Sequence, residues 1–191
     1  MTTVVIIVAV VLVAVLGYFL VRGRTGGGQG LRRRFGPEYD RTVDRHNGDT
    51  KAAEHELAER VKLHGHLEEQ PLSQETREAY AARWTAVQEQ FIDSPTEAIA
   101  EADALLAQLA RDRGFPDGSR FEEQTAAISV HHAEHVDGYR KVHTAVRGQG
   151  DTEEMRKALI ESRALFDVLL GHAPDEPAHP DRHRTNGRTS A

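Results

Sequence analysis

Val4 to Val21 reads VVIIVAVVLVAVLGYFLV, eighteen consecutive residues without a charge, and no other stretch so restricts what this polypeptide can become. An α-helix rises about 1.5 Å per residue, so a run of this length covers roughly the 30 Å hydrocarbon thickness of a bilayer. Valine is a mediocre helix former in water. In lipid, however, every backbone N–H and C=O must pair within the segment, which leaves helix as the state open to a single span. The sequence therefore predicts an N-terminal transmembrane helix over residues 1–21. A cleaved signal peptide fits less well. The leader Met-Thr-Thr has no basic residue, the apolar run exceeds the usual ~7 to 15, and arginine follows where a small-residue cleavage site belongs.

Arg22, Arg24, Arg32, Arg33 and Arg34 supply five positive charges behind the run, and only the α-amino group precedes it. The positive-inside rule then places the N-terminus outside and the C-terminal domain in the cytosol of a single-pass protein of the cell membrane. Residues 22–34 contain RGRTGGGQG and read as a basic, glycine-rich flexible tether whose arginines lie close to lipid headgroups.

From Phe35 onward 19 basic residues face 30 acidic ones, a balance of −11. Such a domain is repelled by phosphate backbones unless it segregates a basic face, and no basic stripe interleaved with aromatics is visible, so nucleic acid is not an expected partner. The chain has no cysteine, which removes disulfides, thiolate catalysis and cysteine zinc sites. Residues 35–171 are enough for one core of ordinary size.

That span reads as helices throughout, because no segment alternates apolar and polar residues as a half-buried strand does. Pro37 opens a short helix that Asn47-Gly48 stops. A second is expected from Thr50 to His64, with Ala53, Leu57 and Val61 on one face. Ser73 caps a third, carrying Tyr80, Trp84, Val87 and Phe91. Ser94-Pro95-Thr96-Glu97 has the form of a capping box before a fourth, with Ala98, Ile99, Ala102, Leu105, Leu106 and Leu109 inward. Ser119 and Glu122 repeat that form for a fifth. The pattern weakens at His131 to Asp137, where a break is expected. It resumes at Val136, Tyr139, Val142 and Val146. Asp151 and Glu154 then open a last helix bearing Met155, Leu159, Phe166, Leu169 and Leu170, with Gly171 as its stop. The expected fold is all-α: a transmembrane helix and an antiparallel bundle of about six or seven helices, consecutive ones side by side. Residues 172–191 are polar and proline-interrupted and read as a disordered tail.

Three stretches, RRRFGPEYDRTV (Arg32 to Val43), Tyr80 to Pro116 and TEEMRKALIESRALFDVLL, together resemble a mostly actinobacterial family of single-pass membrane or secreted proteins. That family joins one N-terminal apolar segment to a small helical domain, and Phe-Gly-Pro-Glu-Tyr-Asp is its most specific signature. The resemblance implies this architecture and brings no activity with it. HHAEHVDG matches the family pattern less well than its surroundings do.

Candidate sites are few. His131 and His135 stand one turn apart if the segment is helical, a spacing that suits zinc or nickel, with His132 beside them and His143 roughly on the same face. The full HExxH arrangement is absent. Eleven histidines also raise the question of pH sensing. Phe35, Glu38, Tyr39 and Asp40, directly after the tether, form a candidate interaction surface. No carboxylate is paired with a nucleophile, oxyanion donor or phosphate loop, so the reading is of a non-enzyme without a cofactor. The leading expectation is a membrane-tethered interaction or scaffold module with a protein partner. The alternatives are a metal- or pH-responsive sensor built on His131, His132 and His135, and an extracytoplasmic envelope-maintenance protein.

Overall fold

A computed structural model describes residues 28–148 and 151–171, and all secondary structure among them is helical. The Val4–Val21 run, Arg22, Arg24 and the tail 172–191 lie outside the described residues. Among those described, no helix is long and apolar enough to cross a membrane.

The first difference from expectation is at the tether. Residues 28–35 are helical (α1), so the glycine-rich run does not continue as coil as far as Arg34. The physical reason is burial: Phe35 at the end of α1 is 0% exposed, and Leu31, one turn earlier, packs against the same cluster. Gly36 then takes φ 47, a left-handed conformation favourable to glycine, and the chain turns directly into α2 (Pro37–Arg45) with proline in its first turn. Asn47 and Gly48, both at positive φ, separate α2 from α3 (Thr50–His64). Asp49 caps α3 by accepting the N–H groups of Lys51 and Ala52.

Helix α4 (Gln74–Asp93) starts at a Ser73 cap, and α5 (Pro95–Asp112) follows after Ser94 alone. The capping box expected at Ser94 does not form. Ser94 also terminates α4, its N–H donating to the Gln90 carbonyl, and its backbone at φ −140, ψ 70 brings no side-chain cap to α5. The box expected at Ser119 is displaced too. Asp117 accepts from Ser119 N–H and organises a single 3-10 turn, Gly118–Arg120, after which α6 (Phe121–His131) begins without a side-chain cap. By contrast Asp151 and Glu154 form a complete reciprocal box at the start of α8 (Thr152–Leu170), and Gly171 ends it at φ 88. Helix α7 (Val136–Val146) lies between them in the chain.

Helices α4, α5, α7 and α8 enclose the main core, where the Trp84 and Phe166 rings stack with centroids 4.5 Å apart. A second, smaller cluster of Phe35, Tyr39, Leu57 and Val130 unites α1, α2, α3 and α6. Spatial neighbours follow chain order in the pairs α2–α3, α4–α5 and α7–α8 and depart from it elsewhere: α6 packs on α3, and α5 packs on both α7 and α8. The break at His132–His135 is where the chain crosses from one layer to the other.

Gly138 on α7 marks the closest approach in the main bundle. A β-carbon there would lie 2.6 Å from the carbonyl carbon and oxygen of Glu161 on α8, and backbone cannot yield as a flexible side chain does. Gly138→Ala is expected to cost about 2–3 kcal/mol despite the ~1 kcal/mol that alanine gains over glycine in a helix. Gly30 on α1 has open space around it, so Gly30→Ala is expected to stabilise by about 0.5–1 kcal/mol. Denaturation followed by circular dichroism on the two variants reads the opposite signs.

Candidate functional site: a buried carboxylate beneath arginine-lined clefts

The FGPEYD segment faces inward, which corrects its reading as a surface. Of the four residues expected to form that surface, Phe35, Glu38 and Tyr39 are buried and only Asp40 is exposed. Glu38 and Thr42 lie four residues apart on α2 and so share one side of the helix, and the Thr42 hydroxyl donates to the Glu38 carbonyl at 2.8 Å. That side faces α3 and α7. Tyr39 adjoins it and donates its hydroxyl to Glu54 at 2.9 Å. Asp40 pairs with Arg32 at 3.4 Å.

The Glu38 carboxylate is 2% exposed. It accepts two hydrogen bonds from Arg140 on α7, at 2.6 and 2.8 Å, and one from Arg60 on α3 at 2.8 Å. Arg60 also donates to Ser129 Oγ on α6 at 3.1 Å and to Glu56. Glu56 in turn receives Arg45 at 2.6 Å and meets His46 Nε2 at 2.7 Å. Burial alone would raise the Glu38 pKa, but the two guanidinium groups outweigh it and hold the carboxyl below its ordinary range. A carboxylate so engaged is ionised and a poor proton acceptor; its chemistry is that of a clamp.

The three histidines do not gather. Helix α6 ends at His131, so the one-turn register required of a His131–His135 pair is absent. His131 Nε2 lies 3.0 Å from the His64 carbonyl, and its ring meets Phe115 edge-on. His132 Nε2 contacts Glu69 at 2.6 Å. His135 is the residue from which α7 starts. His143 faces a different set, stacked on Phe121 with centroids 3.6 Å apart and within 3.0 Å of Asp103. Among the described residues no group of three or more histidine or acidic side chains is arranged to hold a metal ion. Of the arginines expected to lie beside a membrane, those within the described part, Arg32, Arg33 and Arg34, are exposed on α1, and Arg34 donates to the Val130 carbonyl at 3.4 Å.

Sequence reading missed Arg60 and Arg140. It placed Val61 on the inner face of α3, where Val61 does pack half-buried against the small cluster, but it left out Arg60, three residues after Leu57, which is more deeply buried. The i, i+4, i+7 series Ala53, Leu57, Arg60 carries that signal, and nothing local pairs residue 38 with residue 140. Above the clamp, Arg41 on α2 is shared by three adjoining clefts of about 430, 390 and 300 Å³. In the largest, Lys141 is already paired with Asp137 and Glu161.

Comparison with protein-family models, with curated proteins and with solved structures finds no match to this chain.

Removing the Glu38 charge leaves two guanidinium groups buried without their shared partner, so Glu38→Ala is expected to destabilise by about 3–5 kcal/mol in equilibrium unfolding, where Asp40→Ala changes stability by less than about 1 kcal/mol. Glu69 offers a pH test. Its hydrogen bond from His132, aided by Arg113 and opposed by burial, holds it at about 2, against an ordinary 4.5. A depressed carboxylate contributes fully above pH 4.5, and the contribution disappears as pH falls towards 2. Glu69→Gln should therefore cost on the order of 2 kcal/mol at pH 7 and little at pH 2, measured by denaturation across that window.

Proposed function

We propose that this protein is a membrane-anchored helical binding module. Val4 to Val21 forms the single span, the helical domain lies on the cytosolic side, and the domain acts by holding a binding surface near the bilayer rather than by catalysis. The observation that carries this reading is the packing of α1. Only residues 22–27 separate Val21 from the described start of α1, and fully extended they reach about 20 Å. At its other end α1 is fixed to the domain by Phe35 and, through the turn at Gly36, by the Glu38 clamp. A domain attached in this way keeps a short reach from the anchor, which suits positioning.

The binding rather than catalytic role is supported by the polar interior. Its most buried carboxylate, Glu38, is fully engaged by guanidinium donors. Kinship with the FGPEYD-bearing membrane proteins is part of the same proposal, since Phe35, Glu38 and Tyr39 give the motif a structural purpose.

Two measurements test the anchor and its direction. The full-length protein is expected to remain in the membrane pellet after carbonate washing and to be released when Val4–Val21 is deleted. A C-terminal green fluorescent protein fusion is expected to fluoresce while the matching alkaline phosphatase fusion stays silent. Release of the intact chain by carbonate overturns the anchor, and an active phosphatase fusion reverses the topology.

A further inference from the structure

The smallest of the three clefts, about 300 Å³, lies where α2, α3, α6 and α7 approach one another. Its wall includes Arg41, Arg45, Arg60, Arg140 and Arg147, and the acidic residue among its lining is Glu122. This is a local reversal in a domain whose overall balance is −11. The carboxylates that compensate these arginines, Glu38 and Glu56, do not line the cleft; they accept hydrogen bonds from behind.

The arginines are unequally compensated. Arg60 and Arg140 are close to nine-tenths buried and fixed by Glu38, so they are rigid. Arg41 reaches its carboxylates only at 3.8 and 3.9 Å. Arg147 forms no ion pair among the described residues, although its charge is felt by Asp103. Like charges crowd here: Arg140 is pushed down first by burial and, against the pull of Glu38, further by Arg41 and Arg60. His143 also lines the cleft, and its Nε2 is buried without a hydrogen-bond partner among the described residues.

We propose that this cleft is a binding site for a phosphoryl group, carried by a small soluble phosphate ester or by a lipid headgroup. A guanidinium is a planar fork of N–H donors that matches phosphate oxygens two at a time, and in a partly desolvated cleft such charge-assisted bonds are strong. Glu38 offers two oxygens and a single charge, and Arg140 and Arg60 already share them, so the remaining positive charge of the wall is left for another anion. Several forks converging on one space match a tetrahedral group with more oxygens and about two charges. Arg60 and Arg140 give the floor its rigidity, and Arg41 and Arg147 are the arms left to close on the ligand. The inference rests on the binding-module reading and names the ligand of that module.

The test uses the full-length chain in nonionic detergent micelles, titrated calorimetrically with inorganic pyrophosphate, and the same chain in phosphatidylcholine nanodiscs with or without phosphatidic acid. Saturable one-to-one binding in either arm is expected. The Arg41→Ala/Arg147→Ala double variant is expected to weaken it at least tenfold, while Arg83→Ala, on α4 and paired with Glu101, changes it less than threefold. Arg147→Lys, which keeps the charge, separates loss of binding from loss of fold, as do unchanged circular dichroism spectra. Binding in the pyrophosphate arm identifies a soluble phosphoryl compound, and binding confined to phosphatidic acid identifies a headgroup. Flat titrations in both arms, or affinity unmoved by the double variant, overturn the site. Since the micelle arm does not depend on insertion in a bilayer, its failure is distinct from failure of the anchor in the carbonate wash.

Discussion

Placing a carboxylate out of water costs several kcal/mol unless opposite charge and hydrogen-bond donors meet it with good geometry, and in this chain Glu38 imposes that requirement on three helices at once. The compensation comes from Arg60 and Arg140, 22 and 102 residues further along. Neither distance is bridged by local structure, so α2, α3 and α7 must reach one relative register before the charge is satisfied. Apolar contacts tolerate sliding; a bidentate guanidinium–carboxylate pair does not. The net stability from such a cluster is modest beside that of an apolar replacement of equal volume. Its effect is to select one arrangement of α2 on the bundle, with Ser129 on α6 drawn in through Arg60.

The same constraint explains why the interior is divided. Trp84, Phe166 and the leucines of α5 and α8 make a core that needs no charge. Among the described residues the layer of α1, α2, α3 and α6 buries a small apolar cluster, Phe35, Tyr39, Leu57 and Val130, with Leu31, Val43, Val61 and Ala133 partly buried against it, little to fix a layer by burial alone at about 1.5–3 kcal/mol per large side chain. Ion pairs supply the orientation that this small cluster lacks. A further set, Glu69 with His132 and Arg113, ties the segment after α3 to the ends of α5 and α6. The crossing at His132–His135 is thus held by polar contacts, and the histidines that resembled ligands are bonded to a carbonyl and a carboxylate there.

What was legible in the sequence follows from the range of the interactions. Thr50 to His64 and the stop at Gly171 were readable because caps, glycine conformations and helical periodicity act within a few residues. So was the core face of α5, where every apolar position expected inward is buried. Ser94 misled because one residue serves as the end of α4 and the start of α5, and its sequence pattern cannot show that the backbone has another duty. The FGPEYD segment misled for a different reason. A charged residue beside a proline turn looks exposed until the partners 22 and 102 residues away are known. Arginines on inner helical positions were the available signal, and they are ambiguous because long side chains so often reach out to water.

Charge placement then links the proposed anchor to the proposed cleft. The domain as a whole, at −11, is repelled by an anionic leaflet, while Arg32, Arg33 and Arg34 on α1 are attracted to it within a Debye length. The end of the domain nearest the proposed span is therefore also the end that the surface favours. Helix α2 follows from α1 after one glycine, and Arg41 lies three residues after Glu38 on that helix. Any force transmitted through α1 that shifts α2 has to strain the Glu38 pairs before it moves Arg41. The clamp therefore holds Arg60 and Arg140, the floor of the cleft, in a fixed relation to the helix that carries Arg41, which is the part of a preorganised anion site that has to be rigid before the ligand arrives.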